Sequence, residues 1–596
     1  MAPTLRNWWA RNVSARAADR ALPGKRFSQG ASSYEDRLFD PSGQSVGLLL
    51  YGGCLAENLA NAGRQMGWQV DHLLYQSGMH ERPQIPARSS HDAALAVFSF
   101  RTVLGQVAER LLGFHDADLL YQKGLATETL LDTARTVLDE LVGNFCPAIC
   151  GTLPVLVLAI IEPPPTSSGL LGARRLGGIY RLARDLNDYL AESLENRDNI
   201  HFLEINDLLR AHGDGDGYDG YDFCYAHSGI RSGGGDAFSS SVLRRAGKIL
   251  QALRQEQPVK LIVTDLDNTL WKGVLAEEDE IMPGEHTEGW PVGYAEALME
   301  CRRRGILLAI CSKNEEATTR ANFDRVWYGR IRLEDFCSVK ISWRPKPENL
   351  AEILQEVNIL PEHVLFVDDS PLEIAEVARA FPEMRTLTGD PHRWRMELLY
   401  GVPFQVAHIS EEASRKTALL QAKIRRDREM AQVDRQDYLR DLQLRAELFS
   451  LTEAGHARFL RVQELLNRTN QFNTTGERRD TGELSRFLAQ GGRLVGLRAS
   501  DRLADHGIVA VGLVQENRLV QMVLSCRVFG LGLEEALLHH LAAEHARDGA
   551  FLAGWRDTGR NATARQFLER HFREENGGDW HLQGMPEWPG HLRRMP

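Results

Sequence analysis

The sequence has no apolar run that approaches the ~20 residues needed for a helix across a membrane. Arginines are spread through residues 1–20, which contain no apolar h-region, so this segment does not resemble a secretory signal. The eight cysteines include no CxxC pair and no accompanying histidine pattern, which argues against a structural zinc site. We therefore expect a cytoplasmic protein with no membrane association.

An excess of positive charge is also missing. The chain of 596 residues has a formal net charge of −11, so its overall charge gives no support to a nucleic-acid-binding role. Its hydrophobic content of 43% and charged content of 25% are ordinary for globular proteins. A chain of this length exceeds one hydrophobic core, and ~3–4 domains are expected.

Strand-like and helix-like segments alternate through residues 1–256, which predicts a first α/β domain with a parallel sheet. The strands are expected within 45–51, 93–100, 153–161 and 199–205, and the helices within 54–67, 102–113, 126–143 and 176–194. The acidic loop 212–222 lacks the Gly and Glu positions of an EF-hand, so we interpret it as a polar turn.

The alternation restarts over residues 257–408, which predicts a second parallel α/β domain. Its strands are expected within 259–265, 305–312, 337–343 and 363–369. Residues 409–451 are charged and predicted to form a helical connector. Residues 452–596 mix helices with strands, which predicts a separate α+β domain.

Four polar motifs follow the strand-like segments of the middle domain in order: Asp265-x-Asp267-x-Thr269, Ser312, Lys346, and Asp368-Asp369. The first aspartate suits nucleophilic attack on phosphorus, and the second suits proton transfer to and from the reacting oxygens. A serine and a lysine can hold phosphoryl oxygens, and the acidic pair can bind Mg²⁺. Such groups converge at the carboxyl ends of parallel strands.

These motifs resemble the haloacid dehalogenase superfamily of aspartate-nucleophile phosphatases and phosphotransferases. The resemblance implies Asp265 as the nucleophile and Asp267 as the acid/base. It also implies Mg²⁺ held by Asp265, the Asp267 backbone carbonyl and the acidic pair, with Asp369 favoured over Asp368 as the direct ligand. Thr269 and Asn314 are expected as supporting residues, although Asn314 also suits a cap for the following helix.

The segments "DLDNTLWKGVLAEE", "GILLAICSKNEE" and "VLFVDDSPLEIAEV" resemble those of the FkbH-type branch (subfamily IIIC) of that superfamily. The resemblance implies that the protein takes a three-carbon acid from 1,3-bisphosphoglycerate, dephosphorylates it, and loads the glyceryl unit onto an acyl carrier protein for polyketide assembly. Segment 278–298 departs from the family pattern, which leaves the identity of the acyl unit open.

The C-terminal domain contains Arg527-x-x-Gly530-x-Gly532, predicted to open a helix after a strand. This pattern resembles the acyl-CoA loop of GNAT-type N-acyltransferases, in which backbone N–H groups would hold a pyrophosphate. Asn561, in a helix-opening loop, extends the likeness. Phosphopantetheine is shared by coenzyme A and the acyl carrier protein, so the groove suits either, and an independent acetyltransferase remains an alternative.

In the first domain, "LLLYGGCLAENLA" places Cys54 at a strand–turn–helix junction, where a helix N-terminus favours the thiolate. The position resembles that of the serine of SGNH-type hydrolases, and longer FkbH-type proteins carry an SGNH-like N-terminal region. His227 follows late in the domain, but Cys224 stands where the usual aspartate would be. Cys54 is either a buried thiol or an acyl tether that exchanges thioesters with the carrier. Cys311 and Cys526 are rival tethers.

The sequence thus predicts a multidomain α/β protein with an SGNH-like sheet, a Rossmann-like parallel sheet of the haloacid dehalogenase type, and a GNAT-like α+β domain. Two other functions stay open. One is a stand-alone Mg²⁺-dependent phosphatase with regulatory flanking domains, which would turn over without a carrier. The other is a non-catalytic scaffold, against which the complete set of four motifs argues.

Overall fold

The computed structural model describes most of the chain. The described residues are 45–53, 56–74, 91–98, 103, 127–149, 153–162, 179–195, 197, 199–212, 236–255, 257–275, 282–406, 415–430, 433–479, 481–546, 550–574 and 580–595. Two of the predicted site residues, Cys54 and His227, lie outside this part, as do the polar turn at 213–222 and almost all of the helix predicted at 102–113.

The strands of the described residues form three sheets. They are β1 (Gly47–Gly52), β2 (Gln69–Leu74), β3 (Ala93–Val97), β4 (Val155–Leu158), β5 (Ile200–Leu203), β6 (Leu261–Thr264), β7 (Leu307–Ser312), β8 (Ser338–Ile341), β9 (Val364–Val367), β10 (Arg385–Leu387), β11 (Arg445–Leu451), β12 (Arg493–Ser500), β13 (Asp505–Gln515), β14 (Arg518–Leu524), β15 (Leu552–Ala553), β16 (Phe572–Glu574), β17 (Trp580–Leu582) and β18 (Arg593–Arg594).

The α-helices of the described residues connect and cover these sheets, and none of them is both long and apolar enough to span a bilayer. They are α1 (Ala56–Gln65), α2 (Thr127–Ile149), α3 (Ile179–Leu194), α4 (Asn206–His212), α5 (Asp236–Leu253), α6 (Pro283–Thr287), α7 (Trp290–Arg303), α8 (Glu316–Trp327), α9 (Lys346–Val357), α10 (Pro371–Ala380), α11 (Pro391–Tyr400), α12 (Lys416–Met430), α13 (Arg435–Asp441), α14 (Phe459–Arg468), α15 (Thr481–Ala489), α16 (Leu533–His545) and α17 (Ala562–His571).

The first sheet is fully parallel and has the strand order β2-β1-β3-β4-β5. β1, β3 and β4 are buried at every position, as expected for unbroken apolar runs covered by helices on both faces. One hydrophobic cluster packs on each face. The parallel α/β prediction for this region is therefore confirmed. The edge strand β2 was not predicted, because its sequence QVDHLL alternates polar and apolar residues only weakly.

The middle sheet is also parallel, with the order β10-β9-β6-β7-β8. Its central strands β6, β7 and β9 are mostly apolar and fully buried, and hydrophobic clusters cover both faces. The four predicted strands are present, and the short strand β10 adds a fifth at the edge. Because the strands are parallel, the segments that follow β6, β7 and β9 all emerge at one edge of the sheet.

Segment 278–298, which departs from the family pattern, folds from Pro283 onward into α6 and the first part of α7. The rings of Trp290 and Tyr294 pack edge-on against Trp394 of α11, with centroid separations of 5.6 and 5.3 Å. Aromatic pairs at such distances and angles add to the free energy of packing. This part of the segment is therefore anchored in the core of the middle domain.

The third sheet has eight strands in the order β16-β17-β15-β14-β13-β12-β11-β18 and mixes parallel with antiparallel pairs. The helical prediction for 409–451 is confirmed over α12 and α13, but it is wrong from Arg445, where β11 begins. All seven residues of β11 pair with β12. This pairing overrides the helical propensity of the Ala, Glu and Leu residues in RAELFSL.

Helix α12 joins the middle sheet to the third sheet. Its Leu420 packs in a core cluster of the middle sheet, and the Lys416 ammonium donates to the Gly305 carbonyl at 2.9 Å. Near the other end, the buried Arg426 guanidinium lies 3.2 Å from the Asp501 carboxylate and donates to the Arg527 carbonyl at 3.2 Å. Helix α12 therefore holds the middle sheet and the third sheet in position relative to each other.

We expect Arg426→Met to lower the free energy of unfolding by about 3–5 kcal/mol, because it leaves the buried Asp501 carboxylate without its arginine partner. Arg425→Met is the matched control, since Arg425 makes only an exposed i,i+4 pair with Glu429, worth less than about 1 kcal/mol. Urea-unfolding midpoints of the two variants measure the difference. Equal midpoints would show that the buried pair does not stabilise this junction.

Candidate active site

The polar motifs of the middle domain meet at one edge of its sheet, as predicted from the sequence. Asp265 directly follows β6, Ser312 is the last residue of β7, and Asp368 directly follows β9. These three strands are neighbours in the sheet and run parallel. The fourth motif residue, Lys346, is the first residue of α9 and points into the same cluster.

Three carboxylates converge at this edge. Asp265, Asp368 and Asp369 each offer one oxygen such that all three atoms lie within 4.8 Å of one another. The Lys346 ammonium lies 3.1 Å from Asp265 Oδ2 and 2.5 Å from Asp368 Oδ2. All but Asp369 are buried. Burying carboxylates this close together is costly, so the lysine is an essential counter-charge.

One oxygen in this cluster has no partner among the described residues. Asp265 Oδ1 is buried and makes no hydrogen bond with them, whereas Asp265 Oδ2 faces Lys346. By contrast, both oxygens of Asp368 are engaged, because Oδ1 accepts from the Ser370 N–H at 2.9 Å. A buried unsatisfied carboxylate oxygen costs about 1–3 kcal/mol or more unless a cation or a reacting atom meets it. Carboxylate oxygens at this spacing are the ligands that Mg²⁺ prefers, so the donor set fits that ion.

Electrostatics raise the pKa values of two of the carboxyls and keep the lysine charged. Burial, followed by the charge of Asp265, raises the pKa values of the Asp368 and Asp369 carboxyls. Burial alone would lower the pKa of Lys346, but the charges of Asp265 and Asp368 outweigh it and raise that pKa. Crowded carboxylates with raised pKa values are typical of sites that hold a cation or handle protons.

Asp267 sits beside this cluster with both carboxyl oxygens held. Its Oδ1 accepts a hydrogen bond from the Trp271 indole N–H at 2.8 Å, and its Oδ2 accepts from Asn314 Nδ2 at 2.8 Å. Burial raises the pKa of Asp267, while the hydrogen bonds from Asn314 and Trp271 oppose that rise. An oriented carboxyl group with a raised pKa suits general acid and base catalysis.

Trp271 is a site residue that the sequence analysis missed. Its side chain is fully buried and the ring packs edge-on against Phe323. A buried indole N–H normally needs an acceptor, and the nearest carboxylate in the sequence is Asp267, four residues earlier. The need for that acceptor is the feature of the sequence that could have identified Trp271 as a site residue. Trp271 is a positioning residue for Asp267.

Two supporting residues have defined contacts. Asn314 Nδ2 also lies 3.3 Å from Ser312 Oγ, whereas the cap of α8 is Glu315, so Asn314 belongs to the site and does not cap the helix. Thr269 Oγ1 accepts from the Asp369 N–H at 3.1 Å. This contact ties the loop after β6 to the loop after β9 and so fixes the spacing of the carboxylates.

The prediction of Cys311 as an acyl tether is contradicted by its surroundings. Its thiol is fully buried among the apolar residues on the opposite side of β7 from Ser312, and burial raises its pKa to about 12. A thiol in that state is neither ionised nor accessible at neutral pH. The sequence-based expectation that strand alternation turns Cys311 away from the site is correct. Cys526, by contrast, is partly exposed.

The C-terminal loop opens a helix after a strand, as predicted. Gly530 and Gly532 both have φ near +77°, a conformation that favours glycine, and α16 begins at Leu533. However, Glu534 and Glu535 occupy the first turn of α16, and burial together with the charge of Glu535 raises the pKa of Glu534 to about 7. Two acidic side chains at this terminus oppose the binding of a pyrophosphate.

The expected substrate contacts of this domain are occupied by its own chain. Asn561 is buried, and its amide donates to the Asn473 and Arg556 carbonyls at 2.8 and 2.9 Å. The prediction that Asn561 binds substrate is therefore wrong, because both amide hydrogens are taken. Arg527 Nη2 donates to the His506 carbonyl at 2.5 Å. Along β14, Thr474 N–H donates to the Met522 carbonyl, so the chain also covers that strand edge.

No family model and no curated protein matches this chain. Among solved structures, the N-terminal part of BF1531 from Bacteroides fragilis, containing a phosphatase domain complexed with Mg, is 20% identical. The match covers 64% of this chain and 97% of that one, with a TM-score of 0.43. A predicted HAD-like family hydrolase from Porphyromonas gingivalis is 15% identical over 22% of this chain and 92% of its own, with a TM-score of 0.18.

A third similar structure is 3-deoxy-D-manno-octulosonate 8-phosphate phosphatase from Moraxella catarrhalis, in complex with magnesium ion, phosphate ion and KDO. It is 20% identical, with 21% of this chain and 66% of that chain covered and a TM-score of 0.17. Solved structures similar to this chain thus include HAD-type phosphatases. At this level of likeness, the function rests on the residues of the site itself.

We expect Asp369→Asn to weaken Mg²⁺ binding at least about tenfold, because it removes one anionic oxygen from the three-carboxylate cluster. Calorimetric titration of EDTA-treated protein measures the affinity. Asp324→Asn, on the exposed face of α8, removes the same charge outside the site and serves as the control. Equal Mg²⁺ affinity of both variants would show that the cluster is not the magnesium site.

Proposed function

We propose that this chain is a Mg²⁺-dependent phosphatase of the haloacid dehalogenase type that works through an aspartyl-phosphate on Asp265. The observation that carries the proposal is the unpartnered, buried Oδ1 of Asp265, set among a lysine and two further carboxylates. A nucleophile needs one free oxygen, and Lys346 on the other oxygen orients the carboxylate for attack.

The proposed reaction has two steps. Asp265 Oδ1 attacks phosphorus, the bond from phosphorus to the leaving oxygen breaks, and Asp267 gives its proton to that oxygen. Water then attacks the aspartyl-phosphate and Asp267 takes a proton from it, which releases inorganic phosphate and restores Asp265. The hydrogen bonds from Trp271 and Asn314 keep the Asp267 carboxyl in place for both transfers.

Positive charge must balance the phosphoryl oxygens during both steps. Lys346 supplies a buried ammonium, and Ser312 supplies a hydroxyl at the end of β7. Bound Mg²⁺, held by Asp265, Asp369 and the Asp267 carbonyl, would supply the remaining charge between carboxylate and phosphate. Asp368 is engaged by Lys346 and the Ser370 N–H, so we assign it mainly to holding the lysine.

We further propose that the substrate is a three-carbon acid derived from 1,3-bisphosphoglycerate and that its acyl unit is loaded onto an acyl carrier protein. Support comes from the FkbH-like sequence segments around Asp265, Ser312 and Asp368. A thiolate attacks the acyl-phosphate carbonyl, the bond to phosphate oxygen breaks, and a thioester forms. The remaining phosphate monoester is then the substrate of Asp265. Thioester exchange with the carrier follows.

The flanking domains are proposed to be SGNH-like and GNAT-like. Support for the first is its parallel sheet, with β1 ending at Gly52 and α1 beginning at Ala56, on either side of Cys54 in the sequence. Support for the second is the order of β14, the glycine loop, α16 and the parallel strand β15. Because the chain covers the β14 edge and Glu534 lies in the first turn of α16, we do not assign this domain an acetyltransferase activity.

We expect Asp265→Asn to lower phosphatase activity by at least about a thousandfold, because the nucleophile is lost. Asp267→Asn should instead slow hydrolysis of the intermediate, so that phosphorylated protein accumulates after mixing with acetyl phosphate and Mg²⁺. Intact-protein mass spectrometry reads the phosphoryl adduct, and Asp324→Asn is the control. An adduct in Asp265→Asn would place the nucleophile elsewhere.

The carrier proposal has a separate test. Wild type, Cys54→Ala and Cys311→Ala are mixed with Mg²⁺ and enzymatically generated 1,3-bisphosphoglycerate, and the acyl adduct is read by intact mass. We expect Cys311→Ala to keep the adduct, because that thiol is buried, and Cys54→Ala to lose it. Release of phosphate without an acyl adduct in any form would favour the stand-alone phosphatase instead.

A further inference from the structure

A large cleft in the described part of the chain lies away from the candidate active site. It has a volume of about 1410 Å³ and is lined by residues of the middle and third sheets, with further residues from the first domain. Its wall includes Lys260, Ile306 and His363, which immediately precede β6, β7 and β9, respectively. The cleft is therefore at the amino ends of the strands whose carboxyl ends carry the catalytic carboxylates.

The cleft and the candidate active site are separated by the length of the strands of the middle sheet. Lys260 and Asp265 flank the four residues of β6, and at ~3.3 Å per residue their Cα atoms are about 16 Å apart. Buried apolar side chains of β6 fill the space between them. Whatever binds in the cleft is therefore not in contact with Asp265.

The cleft is positive although the protein is negative. Twelve arginines and lysines line it, against six aspartates and glutamates, whereas the whole chain has a formal net charge of −11. Such a concentration of one sign inside a concave, partly desolvated wall produces a strong local potential that attracts anions.

Several of these cations have no acidic partner. Among the described residues, no carboxylate lies within 4.0 Å of the charged groups of Lys260, Lys416 or Arg478. Lys416 donates to the Gly305 carbonyl and Arg478 Nη1 donates to the Leu466 carbonyl at 3.3 Å. These three side chains come from the start of β6, the start of α12, and the segment after α14. Their convergence thus depends on the assembled domains.

Burial and mutual repulsion both lower the pKa values of the two lysines. Burial, with the charges of Arg478 and Arg468 adding to it, lowers the pKa of Lys260 to about 8. Burial, with Arg468 and Lys260 adding to it, lowers the pKa of Lys416 to about 7. The charges of Glu362 and Glu464 oppose these shifts only in part, so a bound anion would add negative charge that the lysines lack.

We propose that this cleft binds a small organic molecule that carries a diphosphate or two phosphate groups, at a site separate from Asp265. The volume exceeds the ~300–1,000 Å³ of a typical small-molecule pocket and fits a ligand of nucleotide size. Phosphate groups match ammonium and guanidinium groups that have no acidic partner among the described residues. The inference goes beyond the proposed phosphatase function and does not depend on it.

The wall of the cleft is held in place by contacts between the middle and third domains. The Arg560 guanidinium lies 2.8 Å from the Glu362 carboxylate, and the side chains of Asn358 and Gln471 exchange two hydrogen bonds of 2.9 and 3.2 Å. All four residues belong to the lining. A wall braced in this way suits a compact ligand better than the broad surface of a partner protein.

The test is calorimetric titration with inorganic pyrophosphate and with ADP, in EDTA and at physiological salt. We expect wild type to bind both probes and Lys260→Met to bind them at least about tenfold more weakly, because a recessed cation is lost. Lys340→Met, on β8 outside the cleft, is the charge-matched control and should bind as wild type does. Lys260→Met should melt no lower than wild type, since it removes a charge that has no acidic partner.

Cys526 gives an independent reading, because this partly exposed thiol also lines the cleft. Pyrophosphate or ADP should slow its alkylation by iodoacetamide at least about threefold in wild type and not in Lys260→Met, as measured on the Cys526 peptide by mass spectrometry. The proposal is overturned if neither probe binds wild type, or if Lys260→Met binds them as Lys340→Met does. Binding of an acidic peptide in place of both probes would also overturn it.

Discussion

The middle domain depends on one interaction, the contact of the Lys346 ammonium with Asp265 and Asp368. Three carboxylates within 4.8 Å of one another repel, and the ammonium offsets that repulsion. The lysine is delivered by the first turn of α9, directly after Pro345, and α9 packs on β7 and β8. The packing of α9 thus places the counter-charge beside Asp265, which follows β6.

The sequence predicted the active-site cluster well because a simple rule governs it: polar residues that follow neighbouring parallel strands meet at one edge. Asp265, Ser312 and Asp368 obey that rule. Trp271 was missed because its role depends on the local turn after β6, which no periodicity reports. The substrate role of Asn561 was wrong for a related reason, since its contacts with Asn473 and Arg556 arise only when distant segments of the third domain pack together.

The limits of sequence patterns are clearest around α12 and β11. A charged, periodic stretch such as that of α12 indicates a solvated helix. Yet Arg426 is buried, and its partner Asp501 is 75 residues away. Likewise, RAELFSL has helical propensity but forms β11 by pairing with β12. In both cases a long-range partner decides the outcome, and local composition contains no information about it.

The middle sheet also acts as a partition. Its carboxyl edge carries the reacting carboxylates and its amino edge borders the cationic cleft, with the side chains of β6, β7 and β9 packed between them. A molecule released at one edge therefore reaches the other edge only by diffusing around the domain, or on a flexible arm that is longer than the strands of the sheet. The fold thereby separates the candidate active site from the cationic cleft, while one strand, β6, borders both.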